Sequence, residues 1–176
     1  MKKIVIVLLV LAFAGISSAQ GFKLGVAGNV TFPQGDWSEF TSSTGWGVDA
    51  FGVFDLMLLT LTVRAGYLNF GEKEYDGGLG EMFKTSTTAI PVMAGLRWNF
   101  GAPVGPSFYV GAEAGIHSFA TTTEFEGVTL TDETSTEFAF APNVGVELAG
   151  FDISAYYMII KDANYFGVRL GWGIGI

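Results

Sequence analysis

Toward the C-terminus, apolar and small residues take turns. Phe166, Val168, Leu170, Trp172, Ile174 and Ile176 alternate with Gly167, Arg169, Gly171, Gly173 and Gly175. A repeat of two is the strand period. A helix would carry each of these glycines at a cost of about 1 kcal/mol. The same alternation, followed back along the chain, predicts eight strands, near 21–32, 45–55, 58–70, 84–100, 107–120, 137–149, 151–160 and 164–176. Their apolar faces include Phe22/Leu24/Val26/Val30, Trp46/Val48/Ala50/Phe54, Leu59/Leu61/Val63/Ala65/Tyr67, Ile90/Val92/Ala94/Leu96/Trp98 and Phe108/Val110/Ala112/Ala114/Ile116, then Phe138/Phe140/Val144/Val146/Leu148 and Ile153/Ala155/Tyr157/Ile159. The pattern is weakest over 151–160, where Tyr156 to Ile160 is apolar on both faces. Short connections, such as Ala149-Gly150, alternate with longer ones predicted as loops at 33–44, 71–83 and 121–136.

The charged residues decide which face meets what. Lys23, Asp49, Arg64, Arg97, Glu113, Glu147 and Arg169 all take the phase opposite to the apolar face, among many glycines. A soluble sandwich would bury the apolar face and wet the other. Small residues with a few balanced charges instead suit the inside of an eight-stranded barrel, which has room for side chains only. Asp49, Glu113 and Glu147 would then offset Arg64, Arg97 and Arg169, because a lone buried charge costs several kcal/mol. The outward phase carries aromatics at two levels: Trp46, Tyr67, Phe138 and Phe166 near one rim, and Phe54, Trp98, Phe108, Phe151 and Trp172 near the other. Two aromatic girdles around an apolar band mark a membrane barrel. The expected fold is an all-β, eight-stranded, antiparallel, up-and-down transmembrane β-barrel. Eight strands of ~10 residues each take up ~80 residues in the membrane and leave the remainder for rims and loops.

The first nineteen residues read differently. Met1-Lys2-Lys3, the apolar run Ile4 to Ile16 and the small residues Ser17-Ser18-Ala19 have the three parts of a secretory signal. The run is too short to span a membrane as a helix. The expected division is a signal peptide over 1–19 and a barrel over 20–176. The chain has 176 residues, a net charge of −8, one histidine and no cysteine. The acidic balance argues against nucleic acid as a partner, and the ligand set argues against a zinc site.

With the signal, the strand beginning Ile90-Pro91-Val92-Met93-Ala94-Gly95-Leu96-Arg97 and the terminal Gly167-Val168-Arg169-Leu170-Gly171-Trp172, the sequence resembles the small outer-membrane β-barrel family. That group includes the outer-membrane protein A membrane domain and short relatives of the outer-membrane protein X type. The resemblance covers nearly all of 20–176. Such barrels usually end in an aromatic residue, whereas this chain ends in Ile176. The resemblance implies a Gram-negative-type outer membrane and no cofactor. The partners it implies are outer-membrane lipid, lipopolysaccharide and the barrel-assembly machinery, with the barrel itself a monomer. It implies no single activity.

Candidate chemistry is sparse. His117-Ser118 sets the only histidine beside a hydroxyl, and some outer-membrane barrels are lipid-modifying enzymes using such groups. Strand neighbours point to opposite faces, however, so the pair is expected apart. Glu113 and His117 share the lumen phase, four residues apart. Gly35-Asp36-Trp37 is similar to the glycine-x-tryptophan of lipocalins, but it lies in a polar connection, and lipocalins face apolar residues inward. The predicted outer loops are rich in acids, among them Asp36, Glu72, Glu74, Asp76, Glu124, Glu126, Asp132, Glu133, Glu137 and Asp162. With Phe51, Met93 and Tyr109 also inward, the lumen is expected to be filled. The expected function is non-catalytic, structural or surface-interacting through these acidic loops, with an unknown ligand. A small passive permeation channel, a periplasmic lipocalin-like binder and a lipid-modifying enzyme are the alternatives.

Overall fold

A computed structural model describes residues 21–35, 37–41, 44–56, 59–76, 82–101, 105–125 and 128–175. The predicted signal segment lies outside them. The strands are β1 (Phe22–Pro33), β2 (Gly45–Leu56), β3 (Leu59–Asp76), β4 (Met82–Gly101), β5 (Ser107–Phe125), β6 (Val128–Leu148), β7 (Phe151–Ile160) and β8 (Tyr165–Gly175). Each pairs antiparallel with its sequence neighbour, and β1 pairs with β8 to close the barrel. Closure leaves no open edge inside the bilayer, the condition for crossing lipid with strands.

The predicted register of faces is present throughout. Trp172, Val26, Ala50, Ala65, Val92, Ile116 and Phe138 are linked pair by pair around the outer wall. Asp49, Arg64, Arg97, Glu113 and Arg169 lie on the other phase and are buried. Short turns mark the periplasmic end of such barrels and longer connections the outside. The β6–β7 turn consists of Ala149 and Gly150, with φ of 52° and 87°. Positive φ at both positions is the backbone of a two-residue hairpin whose twist matches its strands.

The structure corrects the sequence reading in two places. The segments 71–83 and 121–136 are largely strand, not loop. β3 to β6 run for 18, 20, 19 and 21 residues, against 12, 12, 10 and 11 for β1, β2, β7 and β8. A membrane strand needs ~9–11 residues. The excess raises a four-stranded sheet above the outer rim. It is rich in threonine, a strand former, and Thr87 and Thr121 face each other with hydroxyls 3.3 Å apart. Threonine and charged residues take both phases of this sheet, so no apolar alternation marks it. The acids Glu72, Glu133 and Glu137, expected on loops, are therefore strand residues. Of the remaining expected loop acids, the side chains of Asp36, Glu74, Asp76, Glu124, Glu126 and Asp132 lie outside what is described.

Two prolines interrupt ladders without breaking the barrel. The β3–β4 pairing stops at Ala65↔Val92 and resumes at Leu68↔Ala89, around Pro91. The β6–β7 pairing stops at Phe140↔Ile159 and resumes at Asn143↔Tyr156, around Pro142. Pairing on the other side of each proline is unbroken, through Pro91↔His117 and Ala112↔Pro142. Backbone groups of successive residues point to opposite neighbours, so each missing N–H is one that faced the interrupted side.

Candidate functional site

The lumen divides into two zones. The periplasmic half is charged. Arg64 Nε donates to Glu113 Oε2 at 2.6 Å, and its Nη1 to Asp49 Oδ2 at 3.3 Å. Arg97 donates to Asp152 Oδ2 at 2.9 Å and to Glu147 Oε2 at 3.5 Å. Arg169 lies 3.9 Å from both Glu113 Oε1 and Asp152 Oδ1 and donates through Nε to Ser154 Oγ at 3.2 Å. Lys23 pairs with Glu147 near the mouth. All six charged residues expected in the lumen are thus brought into one network.

Sequence reasoning left out Asp152, which both Arg97 and Arg169 engage. It stands one residue past a turn, and its phase, shared with Ser154, was the signal that places it inside. With Lys23 and Asp152 the network holds four cations and four carboxylates. Its arginines also lie against rings: Arg97 is 4.5 Å from the Tyr109 centroid, and Arg64 is 5.3 Å from that of Tyr156. Cations favour such aromatic faces, most of all away from water. Glycine makes room for the rings. A Cβ at Gly145 would strike Tyr109, one at Gly167 would strike Tyr156, and one at Gly25 would strike Phe51.

The outer half is apolar. Leu68, Phe70, Met93, Phe119, Met158 and Tyr165 pack into one buried cluster. Helix α1 (Trp37–Phe40) lies in the β1–β2 connection, and its Trp37 caps the cluster. Trp37 sits 4.5 Å from the Phe70 centroid and about 6 Å from those of Phe119 and Tyr165. The connection is tied down on two sides: Gln34 N donates to Asn164 O at 2.9 Å, and Lys73 Nζ to Ser38 O at 3.0 Å. Sequence reading placed Trp37 in a polar loop; its ring belongs to the lumen.

His117 and Ser118 stand apart as expected. His117 is fully buried, with Nε2 2.8 Å from the Tyr165 hydroxyl. Ser118 Oγ lies 3.1 Å from Thr136 Oγ1, near the surface. Glu113 engages Arg64 and Arg169, while His117 turns to Tyr165.

On the outside, Trp46, Tyr67, Phe138 and Phe166 are exposed toward the outer rim, and Trp98, Phe108, Phe151 and Trp172 toward the inner rim. Trp46 lies against Tyr67 and Phe32 against Phe166, with centroids 6.4 and 6.3 Å apart. Phe54 keeps the outward phase, but its ring is covered: it is 6% exposed, with Phe22 at 4.7 Å. It fills the space left by Gly52, where a Cβ would touch it at 3.4 Å.

A closed antiparallel barrel with an apolar belt, two girdles and a charge-balanced interior defines a transmembrane β-barrel of the outer-membrane type. The outer membrane protein beta-barrel domain family matches residues 5–168, and the chain belongs to that family. No curated protein matches the sequence. Among solved structures, the fold is similar to that of Ail, the attachment invasion locus protein of Yersinia pestis. That match has a TM-score of 0.59 and 11% identity, over 89% of this chain and 98% of Ail. It is also similar to the Neisserial surface protein A, with a TM-score of 0.52 and 15% identity, over 88% of this chain and 96% of that one. A second structure of Ail, in complex with the heparin analogue sucrose octasulfate, aligns with a TM-score of 0.53 and 13% identity, over 89% of this chain and 97% of Ail. The chain is an outer-membrane β-barrel protein.

Proposed function

We propose that this protein is a non-catalytic barrel that works outside the cell by presenting its raised β3–β6 sheet to partners. The observation that carries this reading is the division of labour within the fold. The membrane part is packed with side chains, while among the described residues the four longest strands, of 18 to 21 residues, form one continuous sheet on the outer side. The separation of His117 from Ser118 supports the absence of catalysis. The apolar belt between the girdles is the contact surface for outer-membrane lipid and lipopolysaccharide, and the terminal strand is the segment offered to the barrel-assembly machinery. The barrel is monomeric in this reading. Ail is seen with a sulfated sugar analogue; the acids Glu72, Glu133 and Glu137 on this sheet are the wrong sign for such a polyanion.

Two measurements test the reading. Purified, refolded protein in planar bilayers should give no sustained conductance. A Thr134→Cys variant, in a chain with no other cysteine, should react with a membrane-impermeant maleimide on intact cells. Stable ohmic channels would put passive permeation first instead. An unlabelled Thr134→Cys on intact cells would remove the outward-facing sheet from the account.

A further inference from the structure

The periplasmic end of the barrel holds a cavity that the packed interior does not fill. Its volume is about 300 Å³, and Lys23, Asp55, Arg97, Asn99, Ser107 and Glu147 are among its lining. All but Arg97 stand within three residues of a strand end, beside the short turns or next to the closing strands. Arg97 forms the floor: it is 4% exposed and is held from inside by Asp152. A water molecule takes up ~30 Å³ of liquid, so the space suits a small molecule rather than a single water.

Two polar groups in this mouth are left over. The network beneath it is balanced, with four cations against four carboxylates. Asp55 is a fifth carboxylate. Its Oδ1 accepts from Thr60 Oγ1 at 2.9 Å, and Thr60 Oγ1 accepts from Asn99 Nδ2 at 2.6 Å. Among the described residues no cation stands at ion-pair distance from Asp55. Lys23, paired with Val53 on the neighbouring strand, is its nearest neighbour of opposite charge along the lumen face, yet it reaches across the mouth to Glu147. The second leftover is the Nε–H of Arg97, which is buried and has no acceptor among the described residues. Buried donors are seldom left so.

The two leftovers are opposite in sign and share one cavity. A concave space with a few convergent polar groups is the usual form of a small-molecule site.

We infer that the periplasmic mouth binds a small zwitterion of the amino-acid class, with its ammonium on Asp55 and its carboxylate toward Arg97 and Lys23. The site goes beyond the surface-interaction reading, which concerns the opposite end of the barrel. An amine alone leaves the Arg97 donor unmet. An anion alone sets its charge against Asp55 and Glu147, and a diamine sets its second ammonium against Lys23 and Arg97; like charges so placed repel. A free amino acid and the end of a short peptide both carry the required pair. The ligand enters from the periplasm, and the charge network under it closes the way outward.

The test uses the protein purified from outer membranes and placed in nanodiscs of phosphatidylcholine, whose headgroup has no primary ammonium. Alanine and the dipeptide alanylalanine are the probes, titrated by ligand-observed NMR. Three control compounds are N-acetyl-alanylalanine, which lacks the ammonium, alanylalanine amide, which lacks the carboxylate, and diaminobutane, which has an ammonium at each end. At least one of the two zwitterions should bind, and the tighter of them tells a free amino acid from a peptide end. Each control should bind about tenfold more weakly or worse, equivalent to ~1.4 kcal/mol. Asp55→Asn removes the charge and keeps an acceptor for Thr60; it should weaken the zwitterion to the same extent, while Glu133→Gln on the raised sheet binds as wild type. Heat-modifiable migration on a gel checks that both variants fold, and if Asp55→Asn does not, the control compounds decide on the wild type. No binding by either zwitterion, equal binding by any control, or unchanged binding by folded Asp55→Asn overturns the proposal. So does an equal loss in Glu133→Gln, which would move the binding to the sheet. None of these results bears on conductance or surface labelling.

Discussion

Arg64 and Glu113 meet inside the barrel through an Nε···Oε2 hydrogen bond of 2.6 Å, from strands that are not neighbours. The bond crosses the lumen where water would otherwise pass. Arg64→Met leaves Glu113 and Asp49 without their main partner, at an expected cost of about 3–5 kcal/mol. Urea unfolding in vesicles, followed by tryptophan emission, measures it. The double variant Arg64→Met/Glu113→Leu should cost less than the sum of the two single changes, because each single change strands a buried charge.

Leu170 is 57% exposed on the outer wall, between girdle levels. Leu170→Arg places a cation in lipid near mid-bilayer and should cost about 2–4 kcal/mol. The same unfolding assay checks it. Wild-type stability for this variant would mean that the two faces are assigned the wrong way round.

Gly145 and Gly28 occupy opposite faces and should respond oppositely to one methyl group. At Gly145 an added Cβ meets the Tyr109 ring and, at 2.8 Å, Ile153 O, whereas at Gly28 nothing lies within 4 Å. Gly145→Ala should destabilise by about 1–3 kcal/mol. Gly28→Ala should be neutral or slightly stabilising, since it only reduces chain entropy.

Ala149 holds a left-handed backbone at φ 52° in the β6–β7 turn. Ala149→Asn should raise stability by up to about 1 kcal/mol, because asparagine tolerates that region better. A midpoint shift in urea with an unchanged slope is the expected signature.

The strands of the membrane part were legible because each has one face in lipid. Ile90, Val92, Ala94, Leu96 and Trp98 could not be read otherwise with Arg97 and Gly95 between them. Legibility failed where that contrast vanishes. Above the rim, Thr85, Thr87, Thr121 and Thr123 stand in a sheet with polar residues on both phases, and no period separates them from loop. In β7, Tyr156, Met158 and Ile160 point inward and are apolar, because the outer half of the lumen is apolar. That blurred the alternation and concealed Asp152 two residues before Ser154. Trp37 could not be placed from sequence: four helical residues in a connection do not reveal that an indole closes the barrel. The charged interior, by contrast, was nearly complete from phase alone, since a buried charge has few places to be.

The pairing of β1 with β8 joins Lys23 to Gly175, almost the two ends of the described chain. Contacts so distant in sequence form late, after the entropy of closing the loop has been met. Until β8 arrives, Glu113 and Asp152 lack Arg169, and the incomplete sheet has an unsealed seam through which solvent reaches them. The last strand therefore delivers a counter-charge as well as backbone bonds. Arg169 on β8 and Lys23 on β1 are the cations carried by the two closing strands, so sealing the wall also completes the charge balance begun by Arg64 and Arg97.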